Sequence, residues 1–493
     1  MANGPNLLFL FSDQHAQRIA GCYGDAAAPT PHLDRLASEG VAFDNAYCPS
    51  PLCVPSRMSM LTGRYPFEQE CWTNDDYLRS DAATWLHAVG AAGYRPALAG
   101  RLHAMGPDQL HGYAQRMVGD HSPNWGGVPR HDLGVLDRAN DPWRESLERS
   151  GVGQSAYQVK DVETAAAACD YLRGIASERR GGRDARFCLT VGLLLPHPPY
   201  VAWREDYARF DGRVPPPAHG EPPSPPHAWE AWWRENRGIA SLDAAAVMRA
   251  RTAYYGLVYR MDALIGDVLA CLRDEGLDDD TLVLYTTDHG DQLGERGLWW
   301  KHTLYEDSVR VPLIMRWPGA LPAGGRRSHV CDLLDVAATM VDALGGPALP
   351  YSHGRSLLPV ARDAGAPWHD EVFVEHCTDN VPAWTGGRAV QQRMVRSGPM
   401  KLIYSHGFAP QLFDLAADPH ERDDLASDPR HAATRDALLA RVLRDWDPDR
   451  VATRIRERRR DKDVIDAWAR QVRPPDEFRW QLLPEHNRLE SSA

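Results

Sequence analysis

Three apolar runs in this sequence end abruptly in polar residues, and this pattern restricts the possible folds most. Residues 7–12 run into Asp13-Gln14, residues 186–195 into a proline-rich turn, and residues 281–287 into Asp288-His289. Continuous apolar runs of this length are typical of parallel strands buried on both faces, and such sheets place their sites at the carboxyl ends of the strands. The sequence therefore predicts an α/β fold with a large, mostly parallel central sheet.

The chain is long enough for more than one domain, because its 493 residues with 43% hydrophobic content exceed the usual size of a single core. Apolar residues at helical spacing predict helices over residues 244–275 and 328–345, flanking the sheet. Short apolar runs after residue 366 indicate a smaller α+β subdomain. We expect a catalytic domain over residues 1–365, a C-terminal subdomain over 366–450 and a tail over 451–493.

Composition and charge exclude several kinds of partner. The net charge of -12 argues against nucleic acid and anionic membranes. The N-terminal apolar run is too short for a signal peptide or a membrane span. Nine cysteines without paired spacing indicate reduced thiols. We therefore expect a cytoplasmic protein that attracts any anionic substrate through a local basic pocket.

The stretch Cys53-Val-Pro-Ser-Arg57 predicts a loop that turns into a helix. Pro55 disfavours the helical conformation at Val54 and suits a first helical turn, so Cys53 is expected at a helix N-terminus. That end of a helix attracts anions, and Arg57, one turn on, can reach the same anion. A buried structural thiol is the alternative interpretation of Cys53.

This stretch, followed by Leu61-Thr62-Gly63, resembles the sulfatase signature. The resemblance implies an alkaline-phosphatase-like α/β sandwich and conversion of Cys53 to formylglycine by a formylglycine-generating or equivalent maturase. The hydrated aldehyde would then bind a metal ion and attack the sulfur of a small anionic sulfate ester.

Other motifs of the same family supply the remaining candidate site residues. The segment from Tyr94 to His103 resembles the second sulfatase motif, in which a lysine and a histidine touch the sulfate ester; here Arg101 replaces the lysine, so a planar fork replaces a point charge. The resemblance assigns leaving-group assistance to His197 and Lys301, and release of sulfate to His103. Asn74, which follows the signature helix, is a candidate anion-binding residue.

The polar ends of the first and third apolar runs predict a metal site. Asp13, Gln14, Asp288 and His289 offer hard oxygen ligands with one imidazole, a set that suits Ca²⁺, Mn²⁺ or Mg²⁺. The resemblance adds Cys53, as formylglycine, to the ligands of one divalent ion.

Three functions are compatible with these residues. Hydrolysis of a sulfate ester is the first, and hydrolysis of a phosphonate monoester or phosphodiester within the same superfamily is the second. The third is a non-catalytic binding protein in which Cys53 remains a thiol.

Residues 106–113 resemble choline sulfatases locally. A choline ester would present a quaternary ammonium, which binds aromatic faces or a carboxylate. The candidates for these contacts are Trp125, Trp299, Trp300, Glu375, Phe478 and Trp480.

The tail combines a basic run at residues 454–460 with three aromatic residues. A basic run usually forms a solvated face, and the acidic chain makes nucleic acid an unsuitable partner. We therefore expect this tail to pack on a neighbouring subunit of a homo-oligomer.

Overall fold

The computed structural model describes residues 4–128, 132–382 and 385–490. Its strands are β1 Asn6–Asp13, β2 Val41–Tyr47, β3 Pro96–Gly100, β4 Gln115–Met117, β5 Gly151–Gln154, β6 Cys188–Pro196, β7 Val201–Ala202, β8 Thr281–Thr287, β9 Arg310–Arg316, β10 Gly325–Asp332, β11 Glu371–Cys377, β12 Gln391–Ser397, β13 Met400–Ser405, β14 Gln411–Asp414 and β15 Arg488–Leu489. Its helices are α1 Pro31–Glu39, α2 Cys53–Thr62, α3 Pro66–Gln69, α4 Trp85–Ala91, α5 Glu145–Glu148, α6 Ala156–Arg180, α7 Arg204–Phe210, α8 Ala228–Asn236, α9 Ala244–Asp274, α10 Glu306–Val309, α11 Leu333–Leu344, α12 Leu358–Arg362, α13 Ala432–Val442 and α14 Pro448–Val472.

An eight-stranded sheet with the order β10-β2-β9-β8-β1-β6-β3-β4 forms the centre of the molecule. All its strand pairs are parallel except the two made by β9, so the expected mostly parallel sheet is confirmed. Every residue of β1, β6 and β8 is buried, as expected for strands covered on both faces. The carboxyl ends of β1 and β8 are neighbours, which brings Asp13 and Asp288 together.

Helices cover both faces of this sheet. Phe9 of β1 packs edge-on against Trp85 of α4 at 6.3 Å between ring centroids. Tyr285 of β8, which pairs with Leu10, contacts the sulfur of Met261 in α9 at 3.6 Å. Because neighbouring residues of a strand point to opposite faces, α4 and α9 lie on opposite sides. The architecture is the predicted α/β sandwich.

The helix that we predicted over residues 328–345 is partly wrong. Residues up to Asp332 belong to the edge strand β10, where Val330, Cys331 and Asp332 pair with β2. Helix α11 begins only at Leu333, because the Asp332 side chain accepts the N–H groups of Leu334 and Asp335 and caps the helix.

The C-terminal subdomain is built on the antiparallel sheet β11-β12-β13-β14. A second hydrophobic core lies between this sheet and helices α13 and α14, and Val451 and Ile455 of α14 are part of it. The boundary expected after residue 450 therefore falls inside helix α14.

The tail, which we expected on a neighbouring subunit, lies against its own chain. Arg454 pairs with Glu70 at 2.8 Å, and Lys462 with Asp76 at 2.6 Å. Beyond α14 the backbone of Asp120 donates to Phe478 at 2.9 Å, and β15 pairs with β5. Nothing in the described residues amounts to a helix with the length and apolar character needed to cross a membrane.

We expect Gly119→Ala to loosen this tail. A Cβ atom at Gly119 would lie 1.5 Å from the carbonyl oxygen of Phe478, an overlap that the backbone must relieve. Overpacking of this kind costs about 1–3 kcal/mol, which urea unfolding can measure. Gly174→Ala is the control, since nothing lies within 4 Å of its Cβ position in helix α6, and it should stabilise the protein by roughly 0.5–1 kcal/mol. Equal stability of the Gly119 variant and wild type would contradict the tail contact.

Candidate active site

Cys53 is the first residue of helix α2 and is 1% exposed. Its sulfur lies 3.3 Å from Nε2 of His289, 3.0 Å from Nζ of Lys301 and 3.7 Å from Oδ1 of Asp13. The signature cysteine thus stands at the carboxyl ends of β1 and β8, where the sequence predicted a site.

Side chains from other segments hold the first turn of α2. The backbone N–H of Val54 donates to Oδ1 of Asn74 at 3.0 Å, and the Ser56 hydroxyl donates to the carbonyl of Asp288 at 2.6 Å. The amide oxygen of Asn74 is therefore committed to the helix start. Its role in binding substrate remains a prediction.

Arg57 connects the carboxylates at the two strand ends. Its Nη2 lies 2.9 Å from Oδ2 of Asp13, and its Nε lies 2.9 Å from Oδ2 of Asp288. Both carboxylates therefore keep Oδ1 towards Cys53 and His289. The Nη1 atom of Arg57 is buried and has no hydrogen-bond partner among the residues that the structure describes.

Four buried residues form a group suited to a metal ion. One ligand atom from each of Asp13, Cys53, Asp288 and His289 lies within 4.8 Å of the other three. Nδ1 of His289 contacts the carbonyl of Gly290 at 3.1 Å, which leaves the Nε2 lone pair directed at the group. Burial lowers the pKa of His289 to about 4, so the imidazole is neutral, as a metal ligand must be. The residues fit a divalent cation.

Gln14 lies beside this group. Its Oε1 accepts from Nζ of Lys301 at 2.9 Å, while its Nε2 donates to Oδ2 of Asp291 at 2.7 Å. The structure therefore places the predicted ligand next to the metal group with its carbonyl oxygen directed to the Lys301 side.

Arg101 and His103 stand on the other side of Asp13. Nε of Arg101 lies 2.7 Å from Oδ2 of Asp13, and its Nη2 lies 2.7 Å from Nδ1 of His103. Since an arginine can only donate, Nδ1 of His103 is the acceptor and Nε2 carries the proton. Burial and the charge of Arg101 hold the pKa of His103 well below its usual value, so this imidazole is neutral.

His197 and Lys301 form a direct pair. Nδ1 of His197 lies 2.7 Å from the carbonyl of Pro198, to which it donates, and its Nε2 lies 3.2 Å from Nζ of Lys301. Burial and the positive charge of Lys301 hold the pKa of His197 well below its usual value. The Lys301 ammonium is therefore the donor and Nε2 of His197 the acceptor in this contact.

Three cationic side chains, Arg57, Arg101 and Lys301, lie around Cys53 and the carboxylates of Asp13 and Asp288. Burial, together with the charge of Asp13, raises the pKa of Cys53 to about 11. The unmodified thiol is therefore protonated at neutral pH and is a weak nucleophile. The arrangement binds an anion, but the thiol as such does not attack it.

The aromatic candidates for an ammonium pocket are tied to different neighbours. Trp300 donates through Nε1 to Ser146, and Trp480 donates to Glu163. Trp125 packs on Trp468 at 5.1 Å between ring centroids. Trp299 is buried against Tyr200, and Phe478 is 40% exposed in the tail. The structure does not gather them around one point.

Glu375, the candidate carboxylate, lies on β11 of the C-terminal sheet. Its Oε1 lies 3.7 Å from Nε of Arg393 on the neighbouring strand β12. The carboxylate therefore already faces a cation of the protein itself.

Two buried aspartates of the site were missed by sequence reasoning. Asp120 accepts the backbone N–H groups of Leu102 at 3.2 Å and His103 at 2.6 Å. It follows β4, an edge strand of three residues that is too short to leave a pattern in the sequence. Asp291 follows the Asp288-His289 pair closely, and only its contacts distinguish it from an ordinary loop aspartate.

Comparison with known proteins agrees with this geometry. Residues 5–346 match the family model described as Sulfatase, and residues 294–446 match that of the N-sulphoglucosamine sulphohydrolase C-terminal region. A choline-sulfatase of Rhizobium meliloti (strain 1021) is 32% identical over 472 residues, which cover 92% of this chain and 89% of the relative.

A further sequence relative and one solved structure are also similar to this chain. The multifunctional alkaline phosphatase superfamily protein PehA of Trinickia caryophylli is 29% identical over 479 residues, which cover 87% of this chain and 92% of the relative. A crystal structure of a phosphonate monoester hydrolase of Agrobacterium radiobacter superposes with a TM-score of 0.71 at 23% identity, covering 89% of this chain and 95% of that one. Family model, fold and sequence relatives agree, and the chain belongs to the sulfatase family.

Proposed function

We propose that this sulfuric ester hydrolase cleaves the sulfate ester of a small alcohol, using formylglycine made from Cys53 and one divalent cation, Ca²⁺, Mn²⁺ or Mg²⁺. The observation that carries the proposal is a buried cysteine on a helix N-terminus, within 4.8 Å of two aspartates and one histidine that together suit such a cation. The charged groups around Cys53 suit an anionic ester and a cation. A protonated thiol is uncharged and does not require them.

Asp13, Cys53 as formylglycine, Asp288 and His289 would hold the cation, with Gln14 beside them. When bound, the cation would polarise an ester oxygen and favour the ionised form of the formylglycine hydroxyl. Formylglycine would supply the oxygen nucleophile that a thiol does not. Arg57 orients the two carboxylates, and its free Nη1 would donate to a sulfate oxygen.

The leaving alcohol needs a proton, and Lys301 holds one. Its Nζ contacts both Cys53 and His197, so it stands between the nucleophile position and the neutral imidazole. We propose that Lys301 donates this proton to the departing oxygen. Nε2 of His197 accepts a hydrogen bond from the Lys301 ammonium and so keeps it in place. His103, with Nε2 protonated by the contact that Arg101 makes to Nδ1, would donate to a sulfate oxygen during release.

Lys301→Met should therefore slow esters of poor leaving groups most. General-acid assistance contributes about 10²–10⁴-fold, so we expect a loss of that order in kcat for an alkyl sulfate and a smaller loss for a nitrophenyl sulfate. Lys401→Met is the control, because Lys401 on β13 is also buried but pairs with Glu306 of α10 and with Glu421. An equal loss with both classes of ester would contradict the assignment.

Choline is the alcohol that we propose, supported by the 32% identical choline-sulfatase and by residues 106–113. In the structure this segment is hydrogen-bonded to the residues that follow His103. Nε2 of Gln109 donates to the carbonyls of Ala104 and Gly106 at 3.0 and 2.9 Å. The decisive comparison uses choline sulfate and 3,3-dimethylbutyl sulfate, its neutral isostere. An ammonium contact worth about 0.5–2 kcal/mol per aromatic face predicts a kcat/KM for choline sulfate that is about twofold to thirtyfold higher for each face. Equal values would exclude choline specificity.

A phosphonate monoester or phosphodiester hydrolase is the second candidate function, and the shared fold of the phosphonate monoester hydrolase of Agrobacterium radiobacter supports it. Turnover of an aryl phosphonate monoester, measured beside an aryl sulfate with the same leaving group, separates the two functions. A higher kcat/KM for the phosphonate would replace the sulfatase assignment.

Maturation of Cys53 is tested by mass spectrometry of the peptide that contains it. Conversion to formylglycine replaces H₂S by oxygen and lowers the mass by ~18 Da. The unmodified mass in an active preparation would rule out formylglycine as the nucleophile, whereas the unmodified mass in inactive protein made with a maturase would favour the non-catalytic binding function.

We also propose a cytoplasmic homo-oligomer. The nine cysteines are free thiols, and eight of them are buried, which supports the cytoplasmic location.

An exposed apolar stripe on α14 supports the homo-oligomer. It consists of three residues at four-residue spacing, Val464, Trp468 and Val472, with exposed fractions of 71%, 43% and 56%. Light scattering of Val464→Glu/Val472→Glu beside wild type tests whether this stripe joins two copies.

A further inference from the structure

Asp291 is a buried carboxylate whose four acceptor positions are all filled from inside the protein. Its Oδ2 accepts from Nε2 of Gln14 and from the hydroxyl of Tyr200, both at 2.7 Å. Its Oδ1 accepts from the backbone N–H groups of Leu293 and Trp300, both at 3.0 Å. A carboxylate has about four lone-pair positions, so none is left for a cation or a substrate.

The four donors come from the segments that carry the site. Gln14 immediately follows β1, Tyr200 follows His197 by three residues, and Trp300 immediately precedes Lys301. One carboxylate thus ties together the strand end beside the metal group and the two loops that supply the leaving-group pair.

Three of these donor residues have a backbone conformation that non-glycine residues rarely adopt. The φ angle is 64° at Gln14, 48° at Leu293 and 62° at Trp300. Residues persist in this left-handed region when the surrounding contacts fix them, and such residues cluster at functional sites. Asp291 is the contact that the three share.

The orientation of the Gln14 amide is dictated by its two neighbours. Nε2 faces Asp291, which can only accept, and Oε1 faces the ammonium of Lys301, which can only donate. The reversed amide would place oxygen against carboxylate and nitrogen against ammonium. Since a carbonyl oxygen has two lone pairs, Oε1 retains one for a cation after accepting from Lys301.

We infer that Asp291 is a positioning residue that fixes the Gln14 amide so that its oxygen, and not its nitrogen, faces the cation site. The inference rests on the cation site of the proposed function. It assigns to Asp291 no contact with the cation and no part in proton transfer.

The substitution Asp291→Asn tests this inference. The two backbone donors, Leu293 and Trp300, require an oxygen at the Oδ1 position, so the new amide nitrogen must face Gln14. Nitrogen then opposes nitrogen, and Gln14 must turn its own nitrogen towards the cation site. Loss of such an outer partner typically costs about 10–100-fold in metal affinity, and we expect that loss here.

A compensating substitution makes the test specific. In Gln14→Glu/Asp291→Asn, one oxygen of the new glutamate accepts from the asparagine amide and the other faces Lys301 and the cation. The double variant also has the same net charge as wild type. Asp291→Asn should therefore weaken cation binding when residue 14 is glutamine and strengthen it when residue 14 is glutamate.

Binding is measured with Mn²⁺ alone on chelator-treated full-length protein, with unbound Mn²⁺ counted by its EPR signal. Wild type, both single variants and the double variant form the cycle. Asp262→Asn is the control, because Asp262 is a buried carboxylate that accepts two backbone N–H groups from helix α1. Circular dichroism establishes that each variant is folded.

Opposite effects of Asp291→Asn in the two backgrounds support the inference, even if no sulfate ester is turned over. The same loss in both backgrounds, no loss at all, or an unfolded double variant overturns it while leaving the proposed function intact. Wild-type protein that binds no Mn²⁺ overturns both the cation site and this inference.

Discussion

Cys53→Ala abolishes turnover and leaves the protein folded, if Cys53 is the source of the nucleophile. Removing a covalent nucleophile costs roughly 10⁴–10⁶-fold in kcat. The fold should survive because alanine is accommodated at a helix start, and the Val54, Ser56 and Arg57 contacts that hold α2 do not use the sulfur. Steady-state kinetics and thermal unfolding of the variant check the two halves of this prediction.

Cys48→Ala is the matched control, since Cys48 lies in the same stretch and is fully buried. It should retain turnover at some cost in stability. Cys53→Ser should also be nearly inactive, because a serine hydroxyl needs an adjacent base to attack. The histidines near Cys53 are neutral, but His103 presents a protonated Nε2, the Nε2 of His197 lies against Lys301, and the Nε2 of His289 would hold the cation. Appreciable turnover by Cys53→Ala would disprove the covalent role.

The central fold could be predicted from the sequence because strands that are buried on both faces require long runs of apolar residues. The runs that became β1, β6 and β8 are mostly apolar and buried throughout, as is typical of strands covered on both faces. The sequence pattern of strand β10 is weaker. Being at an edge, it mixes exposed and buried residues, and its second half, residues 328–332, was predicted as part of the following helix.

The candidate site could be predicted where one short segment supplies several chemical groups. Asp13 and Asp288-His289 end buried strands, and Cys53 and Arg57 share a motif, so position and residue type agreed. Asp120 and Asp291 could not be predicted, because their importance lies in donors from distant segments, such as Gln14 and Tyr200 for Asp291. The sequence shows the residue but not the partners that meet it.

The position of the tail could not be predicted for a related reason. Its basic residues pair with acidic groups far away in the chain, such as Glu70 and Asp76, and no local pattern distinguishes these pairs from contacts with another subunit. The contacts of the aromatic tail residues could not be predicted either. The indole N–H of Trp480, for example, donates to Glu163 on α6.

Asp13→Asn is expected to have the second largest effect, through the cation. Oδ2 of Asp13 lies 2.9 Å from Arg57 and 2.7 Å from Arg101, while Oδ1 faces Cys53 and His289. Burial alone would raise the pKa of Asp13, but the two arginines lower it well below its usual value, so wild type presents a full negative charge here. Asparagine removes that charge from a site built for a hard divalent cation.

We expect Asp13→Asn to bind Mn²⁺ at least about 10²-fold more weakly than wild type, a larger loss than the 10–100-fold typical of outer residues. The variant should still fold, because Arg57 keeps Asp288 and Arg101 keeps Asp120 as partners. Asp206→Asn is the matched control, since it removes a buried carboxylate from a pair with Arg260 at 2.8 Å away from the site. Chelation of wild type should abolish turnover in parallel, with recovery on adding Mn²⁺. Full activity of metal-free protein, or wild-type Mn²⁺ affinity in Asp13→Asn, would show that these carboxylates serve only to neutralise the arginines.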